Sequence, residues 1–277
     1  MKSISVMFAA TLRLSLLSTT VTVVVAGATA PASHTYTLVT GHQQSAVAHQ
    51  VAAEELIDHL NTIGWPAERK YNRYRQGREE TTVRWGQPGL PATYTNVSRC
   101  ASFVTETLKH TYSDWAIPRF FRTHFGDASP FARDYHDAIA GNKPIPHFKR
   151  VTKVTGLRPG DLIAIKYPEA DDFTGHVVLV RKIIGREQNG PALDGASAYV
   201  LEVIDTTKAA HGIVGQGNAY RDTRITASTE ETGAGYGHMV FYANTKDHTF
   251  AGYRWSVISD QIVPVRKHPV AAARISP

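Results

Sequence analysis

The chain has 277 residues, 42% hydrophobic and 19% charged, with 30 Lys and Arg against 24 Asp and Glu and a formal net charge of +6. This composition is ordinary for a globular enzyme and excludes a disordered or collagen-like chain. The basic excess suits an anionic surface such as a cell wall, but it is too small and scattered for a nucleic-acid binder.

Residues 1–28 read as a secretory signal. Lys2 and Arg13 lead into an uncharged run from Leu14 to Val25, and Ala26-Gly27-Ala28 offers a small-x-small cleavage site. That run is too short for the roughly 20 residues that cross a bilayer. No later stretch is long and apolar enough for a membrane helix. Cleavage after Ala28 would remove two basic residues and leave an exported chain, secreted or periplasmic, with net charge +4.

Ser45 to Ile63 is predicted to be a helix, with Val47, Val51, Leu56, Leu60 and Ile63 at helical spacing. Gly64-Trp65-Pro66 ends it. Residues 66–95 read as an irregular arm with a short strand at 81–85. A second helix is expected from Arg99 to Tyr112, with Phe103, Val104, Leu108 and Tyr112 on one face and Asn96 or Ser98 capping its start. Residues 113–150 form an aromatic, Pro-interrupted region with one short helix at 130–140.

From there the pattern is β. Leu157-Arg158-Pro159-Gly160-Asp161 is a turn, Leu162–Ile165 a buried strand, and His176–Arg181 its expected hairpin partner. Tyr199–Asp205 is a third strand, and further strands are expected at 238–243 and 250–258. Helices followed by an antiparallel sheet make the class α+β.

The candidate chemistry centres on Cys100, the one cysteine, which rules out an internal disulfide framework. In an exported chain an unpaired thiol is either shielded or chemically employed. A helix start favours a thiolate, because unpaired N–H groups point toward it, and those groups can also stabilise an oxyanion. The nucleophile needs a base held by a third polar group. His176, at the start of an otherwise apolar strand, is the candidate base, against the bland reading of a loop-end polar residue. Asp205 is the candidate orienter, with Tyr199, Leu201 and Val203 on its face of the strand; a turn-capping Asp is the alternative, and His211 is the fallback for the third role.

Gly233, Gly235 and Gly237 precede a strand and lack phosphate-loop spacing, so they are assigned to turns or bulges. There is no H-E-x-x-H, C-x-x-C or G-x-S-x-G, and no metal or cofactor is expected. Asn96-Val97-Ser98 matches a glycosylation acceptor but is read as helix capping. Trp65, Trp85, Trp115 and Trp255 are assigned mainly to packing.

Cys100-Ala101-Ser102-Phe103-Val104 resembles the C-S-x-F-V segment of NlpC-type cysteine peptidases, bacterial cell-wall endopeptidases of papain-like fold. Leu157–Ile163 is similar to their L-x-P-G-D-L-h turn, and Gly175–Val180 to their G-H-V-x-h-h strand. The resemblance covers about residues 96–207 and keeps the family's segment order. It implies a papain-like NlpC-type fold with N-terminal helices on an antiparallel sheet, Cys100 as nucleophile, His176 as base and Asp205 as orienter. It also implies peptidoglycan stem peptide as substrate. Two departures are Arg99, where the family commonly has Asp, and the long segment after Asp205. The expected organisation is 1–28 signal, 29–95 N-terminal helix and irregular arm, and 96–277 catalytic domain with a C-terminal β extension. The rivals are a CHAP-type amidase, a thiol acyltransferase, or a non-catalytic wall-binding module.

Overall fold

The computed structural model describes residues 47–64, 66–169, 173–214 and 219–277. The signal segment 1–28 and Trp65 lie outside the described residues. In chain order the elements are α1 (Ala48–Ile63), β1 (Asn72–Tyr74), β2 (Thr82–Arg84), β3 (Thr95–Ser98), α2 (Cys100–Thr111), α3 (Pro118–Phe125) and α4 (Ala132–Ala140). There follow β4 (Phe148–Val151), β5 (Leu162–Lys166), β6 (Gly175–Arg186), β7 (Ala196–Thr207), β8 (Gly233–Asn244), β9 (Phe250–Arg254), β10 (Val263–Pro264) and β11 (Val270–Ile275).

The class is α+β. Eight strands form an antiparallel sheet in the order β10-β9-β8-β7-β6-β5-β11-β4, and β1-β3-β2 form a small mixed sheet. The expected hairpin of β5 and β6 is present, with Ile165 opposite His176. The described residues make one compact unit, in which α1 packs on α2 and α2 packs on β6 and β7.

The two faces of the large sheet carry separate cores. Val177, Leu179 and Ile204 pack with Phe103, Val104 and Leu108 of α2 and with Leu56, Ile57 and Leu60 of α1. On the other face Ile163, Ile165, Val178, Val180, Leu201 and Val203 pack with Met239 and Phe241. Each such fully buried side chain contributes on the order of 2 kcal/mol by leaving water. The α1 stripe is shifted from the expected one. Val51 is exposed, and His49 is buried, taking a hydrogen bond from the Tyr112 hydroxyl and donating to the Gly160 carbonyl at 2.7 Å. Those two bonds tie α1 to the end of α2 and to the turn before β5.

Two local expectations are corrected. Asn96 and Ser98 are buried strand residues of β3, and the cap of α2 is Ser102, whose hydroxyl accepts the Arg99 N–H at 2.9 Å. Asn96 gives its amide to Asn72 at 2.9 Å and is fully buried, which closes it to a glycan in the folded protein. Gly233, Gly235 and Gly237 lie inside β8, whose pairing with β7 runs without a register shift.

Candidate active site

Cys100 is the first residue of α2 and is 5% exposed. Ser98, two residues earlier, donates to Thr206 at 3.4 Å, so the start of α2 is tied to the end of β7 next to Asp205. Gly175 has a φ of +142°, and a Cβ there would lie 1.9 Å from the Ile165 carbonyl. Only glycine lets β6 begin this close to β5, and that approach sets His176 at the end of the sheet where α2 starts.

Leu179 pairs with Ile204, and carrying that register one residue further sets Asp205 beside Val178. His176 is then two residues along the same face, within reach of a diagonal pair. His176 Nε2 lies 2.6 Å from Asp205 Oδ2, and Cys100 at the start of α2 is within electrostatic reach of the same imidazole. The sheet therefore brings His176 to Asp205, and α2 brings Cys100 to His176.

Asp205 is fully buried and accepts three hydrogen bonds. Besides His176, His211 Nε2 lies 3.0 Å from Oδ2 and Arg224 Nη1 donates to Oδ1 at 2.8 Å. Burial alone would raise this carboxyl, but Arg224, His211 and the hydrogen bond from His176 more than reverse it and hold it well below the usual range. An ionised Asp205 only accepts, so His176 Nε2 must carry its proton. In its neutral form the ring then leaves Nδ1 unprotonated, the tautomer a general base requires. Burial pulls His176 down, while the neighbouring Cys100 charge and the Asp205 hydrogen bond raise it to about 9.

The loop between β7 and β8 builds the cradle around Asp205. Arg224 grips Asp222 through two bonds of 2.8 and 2.7 Å, and Asp222 accepts the His211 backbone N–H at 2.8 Å. His211 Nδ1 faces the Trp255 carbonyl at 2.7 Å and Nε2 faces Asp205, so both ring nitrogens face acceptors. The glycines of β8 make this possible. A Cβ on Gly237 would sit 2.5 Å from both Asp222 Oδ2 and His211 Cδ2, and one on Gly235 would sit 2.7 Å from Thr223 Oγ1. The glycines that looked like turn markers are the floor on which the cradle rests.

Trp255 covers the imidazoles, with ring centroids 4.7 Å from His176 and 4.3 Å from His211. It differs in this from Trp85, which stacks on His110, and Trp115, which stacks on His147. A cavity of about 370 Å³ opens beside His176, lined by Tyr74, Tyr167, Phe173, Lys208 and Trp255 among others. Tyr74 has its hydroxyl pushed up by burial and by the neighbouring Cys100 charge, which keeps it a hydrogen-bond donor.

His176, Asp205 and His211 also form a trio whose ligand atoms lie within 4.8 Å of one another. The fit to a cation is poor. Each histidine is already in hydrogen-bond contact with the carboxylate, and the Arg224 guanidinium stands 2.8 Å from Asp205. A divalent ion would have to enter a closed space against that charge.

The sequence reading named Cys100, His176 and Asp205, and offered His211 as an alternative to Asp205; the structure brings all four together, with His211 beside Asp205. It missed Tyr74, Asp222 and Arg224. The signal that pointed to the last two was the glycine alternation in β8, a sign of close approach by another chain segment. No family model matches the chain, and no solved structure matches it. Similarity is found to an uncharacterized protein of Acanthamoeba polyphaga mimivirus, 27% identical over 203 residues that make up 70% of this chain and 84% of that protein.

Proposed function

We propose that this chain is an exported cysteine hydrolase that cleaves an amide bond on a papain-like, NlpC-type fold. The observation that carries the reading is the buried pair in which Asp205 holds His176 at 2.6 Å, with Cys100 at the start of α2 in electrostatic contact with that imidazole. His176 Nδ1 takes the thiol proton as the sulfur attacks the carbonyl carbon. The oxyanion is met by the backbone N–H groups at the start of α2 and by the Tyr74 hydroxyl, an arrangement in which a single donor is worth about 3 kcal/mol of transition-state stabilisation. His176 then gives the proton to the leaving amine, and water, activated by the same imidazole, releases the acyl group. The substrate that fits the resemblance is a peptidoglycan stem peptide, and the leader-like residues 1–28 support an exported site of action.

The test is to incubate the purified protein and its Cys100→Ala variant with peptidoglycan and identify released fragments by mass. Free stem-peptide fragments from wild type and none from the variant support the reading. Cleavage between sugar and peptide, or transfer to an amine, would replace the endopeptidase assignment with an amidase or acyltransferase. Wall binding with no thiol-dependent product would leave a binding module.

A further inference from the structure

The side of the cleft formed by β1 and the start of α2 carries two arginines that no carboxylate contacts as an ion pair among the described residues. Tyr74 pairs with Ser98 in the β1–β3 ladder, and the Arg75 N–H donates to the Ser98 carbonyl at 2.8 Å. That sets Arg75 next to Arg99, the residue immediately before the nucleophile. Both are half-buried.

Neither guanidinium has a carboxylate in ion-pair contact among the described residues. Arg99 donates to the Gly77 carbonyl at 3.2 Å, and Arg75 donates to the Glu79 carbonyl. The Glu79 side chain is the acid at hand, but its oxygens are taken by Arg73 at 3.2 Å and by the Gln76 N–H at 3.0 Å. Arg75 Nε is buried and has no hydrogen-bond partner among the described residues. Two half-buried cations side by side, one with a buried unsatisfied donor, are costly unless an anion joins them.

The position of this pair gives it a role. Tyr74 lies within electrostatic reach of Arg99, Arg75 and Cys100 together, and Tyr74 lines the cavity beside His176. Across that cavity Lys208 is exposed, with its ammonium 5.7 Å from the Phe173 ring and no carboxylate partner among the described residues.

We propose that Arg75 and Arg99 form an anion subsite beside Cys100, so that the substrate is an amide bearing a carboxylate close to the scissile bond. This rests on the cysteine-hydrolase reading above. The planar guanidinium fork matches a carboxylate bidentately, and the aromatic walls supply apolar contact for the rest of the ligand.

Two alkylating reagents of nearly the same size test it, neutral iodoacetamide and anionic iodoacetate. In both, the thiolate sulfur bonds the methylene carbon and iodide leaves, so only the charge of the approaching group differs. The signal-free chain is expected to react with iodoacetate, relative to iodoacetamide, about tenfold faster than free cysteine does, for roughly one charge-assisted contact. Because the His176 imidazolium also draws the anion, variants isolate the arginines. Arg75→Gln and Arg99→Gln are each expected to lower the ratio, and Arg99→Lys to keep most of it, with circular dichroism confirming the fold. Should a variant fail to fold, the wild-type ratio is still expected to fall as salt rises to about 0.5 M.

Reaction with both reagents at the ratio of free cysteine, insensitive to the substitutions and to salt, overturns the subsite alone. Resistance of Cys100 to both reagents overturns the hydrolase reading and this subsite with it.

Discussion

Replacing Gly237 by alanine adds one methyl and removes no hydrogen-bonding group, yet it attacks the proposed apparatus directly. The new Cβ would stand 2.5 Å from Asp222 Oδ2 and from His211 Cδ2, and 2.8 Å from His211 Cβ, against ordinary contacts of 3.4–4 Å. The loop bearing His211 and Asp222 must therefore retreat by roughly 1 Å. Overpacking of this kind costs about 1–3 kcal/mol. In a domain of this size each kcal/mol lowers the melting temperature by roughly 2–4 °C. The retreat also breaks the 3.0 Å contact between His211 and Asp205. Misplacing a catalytic group by such a distance lowers rates by about 10-fold or more. The assay is a thermal melt together with the iodoacetamide rate of Cys100 at pH 7. Gly64→Ala is the control, since its nearest neighbour would be Pro66 O at 3.8 Å. A Gly237→Ala protein equal to wild type in both measurements would refute the idea that this loop is pressed onto β8 to hold Asp205.

Asp205→Asn gives three donors, from His176, His211 and Arg224, a side chain that both donates and accepts, so one donor must face another. The expected result is a loss of about 3–5 kcal/mol in denaturant unfolding and loss of hydrolysis, because His176 is no longer held in its basic tautomer; retained activity would remove Asp205 from the relay. The pH dependence of stability has two limbs. His176 is raised, so its contribution is full below about 6.5 and is lost as pH rises through about 9, at most about 3 kcal/mol. Asp205 and Asp222 are depressed, so their contribution is present above about 4 and disappears as pH falls below it. Thermal melts from acid to alkaline pH should show a plateau near pH 5–6, and the alkaline decline should shrink in Cys100→Ala; an unchanged alkaline limb there would mean that Cys100 and His176 do not interact. Trp255→Ala removes the cover from both imidazoles and is expected to slow alkylation several-fold with little loss of secondary structure by circular dichroism; a rate equal to wild type would remove Trp255 from the site.

The regular elements were legible where one physical signal dominated. Short apolar runs beside turn signals gave β5 and β6, period-two alternation gave β7, and the helical face of Phe103, Val104 and Leu108 gave α2. The strand β11 was not legible, because Val270-Ala271-Ala272-Ala273 has little strand preference of its own and is held by pairing to β4 and β5 on either side. Helix α3 was obscured by Pro118, which occupies a first-turn position where its missing N–H does no harm. At the candidate site, Cys100, His176 and Asp205 could be named from their places on a helix start and two strands. Arg224 and Asp222 could not, since a buried ion pair between residues two apart in a loop looks in sequence like any solvated charge pair. His211 was visible as a rival to Asp205, whereas in the fold it supports Asp205 from the other side.

The most direct test of the central claim follows from Cys100 being the chain's one cysteine, so that intact mass reads its alkylation alone. The rate of carbamidomethylation by iodoacetamide at pH 7 is to be compared between the wild-type protein and His176→Ala, with both shown to be folded. The account predicts a single fast addition to the wild type and a rate about 100-fold or more slower in the variant, the lower end for a positioned general base. Equal rates, or a wild-type thiol that resists the reagent while the protein is folded, would contradict it.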